Sequence, residues 1–353
     1  MEIGISTFVE TTPDVNTGEV ISHAQRIIEV VEEIILADQV GLDVFGVGEH
    51  HREDFAASSP AVILAAAASK TKRIRLTSAV TVLSSADPVR VFQDFATVDA
   101  ISNGRAEIMA GRGSFIESFP LFGFDLKDYD ELFEENLELL LKIRESEKVT
   151  WRGGHRPAIE NLGVYPRPIQ NPLPVWIGSG GNSNSVMRAG LLGLPLVLAI
   201  IGGSPLQFEP LVRLYKRAVD HAGHDLSKLT VASHSHGFIA EDTQTAANKF
   251  FPSTQQVMNK LGKERGWGPY SRSSFDAARS FEGALYVGDP KTVADKIIHL
   301  RKNVGITRFM LHLPVGTMPH EDVMRAIELL GKEVAPIVRE EVSKWEDSSN
   351  GTV

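Results

Sequence analysis

The chain contains no cysteine, which excludes disulfides, thiolate nucleophiles, iron–sulfur clusters and cysteine zinc sites. Long apolar runs are also missing: no uninterrupted stretch approaches the roughly 18 residues that a membrane helix needs. The amino terminus enters a strand-like Glu2-Ile3-Gly4-Ile5-Ser6 without a basic start or an apolar signal core, and a cytoplasmic protein is expected. Basic residues are outnumbered, 36 Lys and Arg against 45 Asp and Glu, for a formal net charge of -9. Neither a nucleic-acid backbone nor an anionic membrane is therefore an expected partner. What is present, 42% apolar and 23% charged residues in 353, is the composition of a globular protein with a sizeable core.

Apolar periodicity divides the chain into alternating strands and helices. Strand-like segments fall at Ile3 to Phe8, Val44 to Val47, Ile74 to Val80, Ala106 to Ala110, Val175 to Gly178, Leu196 to Ile200, Leu229 to Ile239 and Arg308 to Leu313. Nearly every one is followed by an amphipathic helix, several opened by an N-cap residue with proline behind it, as at Asp87-Pro88. Eight such units predict an α/β fold, a parallel (β/α)8 TIM barrel. Two stretches break the rhythm: Val149 to Pro174, and about Gly262 to Phe281, where Tyr270, Arg272 and Phe275 sit among glycines and serines. They are expected to be insertions after strands four and seven, the second a lid or a disordered loop. A single domain is expected over residues 1–343, with a polar, disordered tail over 344–353.

Chemistry-bearing residues collect where strands end, the face on which parallel α/β folds keep their sites. After strand two comes Glu49-His50-His51. In an extended segment Glu49 and His51 share one face and His50 takes the other, which leaves three readings open. They are metal ligation by part of the trio, proton chemistry by a neutral imidazole that its neighbours orient, and a hydrogen-bonded strand end. After strand four, Gly111-Arg112-Gly113 offers close backbone approach and a planar cation suited to phosphate. After strand five, Gly178-Ser179-Gly180-Gly181-Asn182 precedes a helix start, a ready anion site, or else a plain turn with an N-cap. Neither glycine cluster carries the third glycine or the downstream acid of a dinucleotide fingerprint. His234 and His236 share one face of strand seven, directed either into the barrel or out of it.

Taken together, Glu49-His50-His51, Asp87-Pro88-Val89-Arg90, Asp99-x-x-Ser102-x-Gly104-Arg105 leading to Gly111-Arg112-Gly113, the Gly180 to Ser185 cluster, Gly288-Asp289-Pro290 and Pro319-His320-Glu321 resemble the bacterial luciferase-like flavin-dependent monooxygenases. The resemblance runs from strand one to the last helix. It implies a (β/α)8 barrel that binds reduced FMN or, in one branch, coenzyme F420, and that uses dioxygen to oxidise a small organic substrate. By motif, His50 would be catalytic with Glu49 and His51 orienting it. Arg112, Gly180, Gly181, Asn182 and Ser185 would hold the phosphate, and a non-proline cis peptide at Ala79-Val80 would back the flavin ring. A separate flavin reductase and a homodimer are further implications, and no metal is expected. The luciferases carry a reactive cysteine where this chain has Gly111, so light emission is not implied. An F420-dependent reductase or dehydrogenase, a flavin-binding protein without turnover and a metal-dependent barrel hydrolase are the competing functions.

Overall fold

The computed structural model describes residues 1–350. Its centre is a closed ring of eight parallel strands: β1 (Glu2–Thr7), β2 (Val44–Val47), β3 (Arg75–Ser78), β4 (Ala106–Gly111), β5 (Val175–Ser179), β6 (Leu196–Ala199), β7 (Val231–Ile239) and β8 (Arg308–His312). Each strand pairs with the next, and β8 closes on β1 through registers such as Ser6 with His312. Helices pack on the outside, where Ile34, Phe92, Leu140, Val186, Val219 and Ile297 are all fully buried. The apolar stripes read from the sequence are the faces that meet the barrel.

The barrel interior is layered, and the layering decides where a ligand can go. At the amino-terminal end, the guanidinium of Arg308 on β8 donates to both oxygens of Glu107 on β4 at 2.6 and 3.1 Å, and to Glu2 at 2.7 Å. It lies 4.2 Å from the centre of the Trp176 ring. Above this plug sits an apolar layer of Val44, Ala79, Met109, Trp176, Val197, Ala232 and Met310. Only the carboxyl-terminal third is left for a cavity, as expected where parallel strands end.

Several residues of the sequence motifs serve this architecture. Asp87 caps helix Pro88–Ser102 by accepting from the amides of Val89 and Arg90 at 2.8 and 3.2 Å. Asp99 accepts from the Ala106 and Gln170 amides. The Arg105 guanidinium, buried against β3, donates to the carbonyls of Ile74 and Ala68 at 2.6 and 3.1 Å. The Asp99 to Arg105 motif thus fastens the entry of β4.

The connection from β4 to β5 holds helices Ser118–Phe122 and Tyr129–Glu145 and an antiparallel hairpin, Lys148–Trp151 with Ile159–Gly163. The connection from β7 to β8 holds the long helix Thr243–Arg265, the short helix Arg272–Ala278 and a strand, Tyr286–Gly288, that pairs in parallel with the end of β7. The expected loop from Gly262 to Phe281 is therefore partly helical: the end of helix Thr243–Arg265 runs into it, and Ser271 caps helix Arg272–Ala278 by accepting from the Ser274 amide. Of the three residues singled out there, Phe275 is fully buried against Phe250 and Phe251 and none lines the cavity. The last helix, Ala335–Asn350, runs into the segment expected to be a disordered tail, and residues 351–353 lie outside the described ones. Among the described residues no helix is long and apolar enough to cross a membrane.

Candidate active site

A cavity of about 420 Å³ opens at the carboxyl-terminal end of the barrel, within the size range of small-molecule and cofactor sites. His50 projects into it from the end of β2 and is only 8% exposed. Its ring lies among three phenylalanines, with centroids 4.5 Å from Phe8, 4.5 Å from Phe55 and 5.1 Å from Phe115. Burial in these apolar surroundings pushes its pKa down to about 3, so the imidazole is neutral near pH 7. Its Nε2 is buried without a hydrogen-bond partner.

The alternation read for the trio is the one observed, but its consequence differs. Glu49 and His51 bond to each other, Oε1 to Nε2 at 2.8 Å, and the second Glu49 oxygen accepts from the Val82 amide at 2.9 Å. Neither reaches the His50 ring. The carboxylate instead ties the end of β2 to the segment after β3, and His50 is positioned by its backbone, whose amide donates to Ala57 at 2.9 Å. An extended chain sends consecutive side chains to opposite faces, so the expected orienting bonds cannot form.

Ala79 and Val80, joined by a cis peptide bond, form part of the cavity wall. The glycines that end β4 and β5 make room for this wall. A Cβ added at Gly111 would lie 2.5 Å from Val80 Cγ2, and one at Gly178 would lie 3.0 Å from Val80 Cγ1. Gly113 has φ +83 and a Cβ there would meet Val82 at 2.9 Å. These three glycines are needed for packing and for the turn.

Gly180 is different: no heavy atom lies within 4 Å of a Cβ built on it, and it faces the cavity. Beside it, on the neighbouring strand end, stands Arg112, held by Asp130 at 2.6 Å and stacked 5.4 Å from the Tyr129 ring. The loops after β4 and β5 thus share one rim, because their strands are hydrogen-bonded neighbours. Gly181, Asn182 and Ser185 follow on the same turn and helix but do not line the cavity. Asn182 Oδ1 already accepts from the Asn184 and Ser185 amides at 2.9 and 3.2 Å.

His234 and His236 are both directed inward, which settles the choice the sequence left open. With them stand two residues that no motif marked, Glu10 just beyond β1 and His312 at the end of β8. Ser6 Oγ bridges His234 Nε2 at 2.8 Å and His312 Nδ1 at 3.3 Å. His312 Nε2 lies 3.8 Å from a Glu10 oxygen. Burial lowers His236 and His312 to about 3 and raises Glu10 to about 7. The signal that marks Glu10 and His312 in the sequence is a polar residue where an inward-facing apolar series reaches a strand's carboxyl end. Among the described residues no three His, Asp or Glu side chains converge as a metal-binding group.

Ion pairs bridge the mouth. Arg52, after β2, contacts Glu117 at 3.1 Å and Glu264 at 2.6 Å, and Lys260 contacts Asp54 at 2.9 Å. Leu261, Arg265 and Trp267, from the end of helix Thr243–Arg265 onward, face the opening.

Comparison with known proteins gives this geometry a context. N-acetyl-S-alkylcysteine monooxygenase of Bacillus subtilis is 26% identical over 320 residues, 84% of this chain and 90% of its own. The oxygenating constituent of 3,6-diketocamphane monooxygenase of Pseudomonas putida, solved with FMN, superposes with a TM-score of 0.73 at 22% identity, over 95% of this chain and 98% of that one. The coenzyme F420-dependent tetrahydromethanopterin reductase of Methanopyrus kandleri gives 0.72 at 22% identity, again over 95% and 98%. The family described as luciferase-like monooxygenase matches residues 1–308, and the chain belongs to that family.

Proposed function

We propose that this protein is a flavin-dependent monooxygenase that takes reduced FMN from a separate reductase and oxidises a small organic substrate with dioxygen. One observation carries the reading. A cation and an open glycine turn share the β4–β5 rim of the same cavity into which the neutral His50 imidazole projects. Of the residues that line the cavity, Arg112 and the Gly180 turn would hold the phosphate of the cofactor and Ala79 and Val80 would back its ring, while Gly181, Asn182 and Ser185 would shape that turn from behind.

Bound reduced FMN would supply the electrons by which one atom of dioxygen enters the substrate and the other leaves as water. The chain's own contribution is threefold. The phenylalanines around His50 exclude water from the reacting region. His50 Nε2, buried and without a partner, accepts or donates a proton there according to its tautomer. The Glu49 bonds to His51 and Val82 fix the spacing between the His50 strand end and the Ala79–Val80 wall.

Coenzyme F420 is the second reading, favoured by the likeness to the Methanopyrus kandleri reductase. Titrating the purified protein with each cofactor separates the two, and oxygen uptake with reduced FMN distinguishes an oxygenase from a carrier. Arg112→Ala should weaken cofactor binding by about 1.5 kcal/mol or more, the value of a charge-assisted hydrogen bond. Unchanged affinity in that variant would remove the phosphate assignment.

A further inference from the structure

The ring order of the barrel divides the cavity. Strands β4 and β5 stand diametrically opposite the β8–β1 seam. If the cofactor is held as proposed, it occupies the side made by β2 to β5, from His50 and the Ala79–Val80 wall to Arg112 and Gly180. The side made by β7, β8 and β1 is then unused, and it has its own chemistry.

That side carries Glu10, His234, His236 and His312 with the bridging Ser6. Glu10 is 3% exposed and His312 0%, yet Glu10 Oε2 and His312 Nε2 have no hydrogen-bond partner. A buried polar atom left unpaired is costly, and here two stand side by side at the cavity wall. The groups facing Glu10 are His312 on β8, His236 on β7, Arg26 on helix His23–Gln39 and the Gly316 amide, 3.4 Å away. Arg26 is itself engaged by Glu33 at 2.7 Å. The chain enters the site with Val9 at φ +58, a conformation rare for a β-branched residue and one found where surrounding structure enforces it. The rest of this side's wall is mostly apolar, with Phe8, Val197, Ile201, Val257, Met258 and Val315, and takes in Thr12 and Lys260 towards the mouth.

We propose that Glu10 and His312, with His236 beside them, bind an uncharged hydrogen-bonding head, a carbonyl or hydroxyl, of an otherwise apolar substrate. The inference rests on the cofactor placement proposed above. Both groups can donate or accept according to where the proton sits, and the chain His312, Ser6, His234 lets the tautomers adjust to the head presented. A carboxylate entering this end would lose its hydration among neutral imidazoles and meet a second carboxyl group. An ammonium would lose its hydration among neutral imidazoles, with the Glu10 carboxyl, only partly ionised near pH 7, as its one counter-group.

The test measures binding to the purified full chain, without cofactor, of cyclohexanone, cyclohexanol, cyclohexanecarboxylate, cyclohexylammonium and methylcyclohexane, by calorimetry and by NMR of the histidine rings. The ketone and the alcohol should bind roughly tenfold or more tightly than the other three, the worth of one satisfied hydrogen bond. Glu10→Gln, which keeps the neutral shape and both hydrogen-bonding roles, should retain that preference. Glu10→Leu and His312→Phe should each abolish it. Equal binding of all five, tighter binding of a charged congener, or no binding of any, overturns the proposal. So does a Glu10→Leu chain that keeps the preference but loses FMN affinity, because the side made by β7, β8 and β1 would then belong to the cofactor. FMN and F420 titrations of the same samples are read separately: if the wild type takes neither, the monooxygenase reading falls whatever the congeners do.

Discussion

The seat of Val80 on two strand-ending glycines makes a prediction whose size follows from the distances. In Gly111→Ala the new methyl carbon would lie 2.5 Å from Val80 Cγ2, 3.0 Å from its Cβ and 3.1 Å from Cγ1. All three are closer than carbon atoms pack, and valine has few alternatives because its χ1 is stiff. On the other side Cγ1 already lies 3.0 Å from where a Cβ of Gly178 would stand, so the free space there is no more than that missing side chain leaves. The isopropyl group must move into the cavity or push β4 outward. Overpacking of this kind costs about 1–3 kcal/mol, while replacing glycine by alanine returns about 0.4–1 kcal/mol through the unfolded chain. A net loss of about 1–2 kcal/mol is expected, read as a lowered urea midpoint at unchanged slope.

Two companion variants keep this honest. Gly180→Ala, on the next strand end and with nothing within 4 Å of its Cβ, should leave the midpoint unchanged or slightly raised. Val80→Ala removes both methyl groups, the nearer at 2.5 Å, and leaves the Cβ contact at 3.0 Å, so adding Gly111→Ala to it should cost about 1 kcal/mol less than in the wild type, the coupling between the sites. Equal costs for Gly111→Ala in the two backgrounds would refute the packing account, as would a comparable cost at Gly180.

Other measurements probe separate parts of the barrel. Glu107→Leu should destabilise by about 3–5 kcal/mol, because Arg308 keeps only Glu2 in a buried layer, and adding Arg308→Met should recover much of it. His50→Ala should leave cofactor affinity largely intact and lower turnover by about a hundredfold or more, with unchanged turnover removing His50 from proton chemistry. Burial raises Glu10 from 4.5 to about 7, so the native state holds a proton that the unfolded chain releases, and stability from this group is present below pH 4.5 and lost as pH rises to 7. Glu10→Gln lacks that dependence, so unfolding profiles should shift by roughly 3 kcal/mol in favour of the variant between pH 4 and pH 8; parallel profiles would contradict the burial of a neutral carboxyl.

The barrel was legible because each strand is a short apolar run and each helix an amphipathic one, signals that survive without any partner in view. Arg112 and Gly180 could be placed on one rim because strand order alone makes β4 and β5 neighbours. Hydrogen-bond partners were not legible. Glu49 was expected to orient His50, yet strand alternation puts it on the face of His51, and its carboxylate takes His51 and the Val82 amide, the second a partner far away in sequence. Gly111 and Gly178 suggested anion binding, yet their need for small size comes from Val80, far away in sequence. The same holds for the stretch after helix Thr243–Arg265: its glycines and serines suggested a loop, and the Ser271 cap of helix Arg272–Ala278 and the burial of Phe275 reveal the order there.

The layers of the barrel explain why four imidazoles can stay uncharged in one place. Formal charge is concentrated at the closed end, in the Arg308–Glu107–Glu2 plug, and at the mouth, in the Arg52 and Lys260 pairs. An apolar layer with Met109, Trp176 and Met310 separates the plug from the histidines, and the Phe8, Phe55 and Phe115 rings shield His50 towards the mouth. The carboxylate that acts on His50, Asp54, is paired with Lys260, and the carboxyl beside His312, Glu10, is itself driven towards its neutral form. Proton transfer among such groups separates charge and is costly in these surroundings, so it has to go in step with a bound group that takes up the charge. A cavity that keeps its fixed charges at its two ends and its transferable protons in the middle is suited to a reaction on an uncharged substrate out of contact with water.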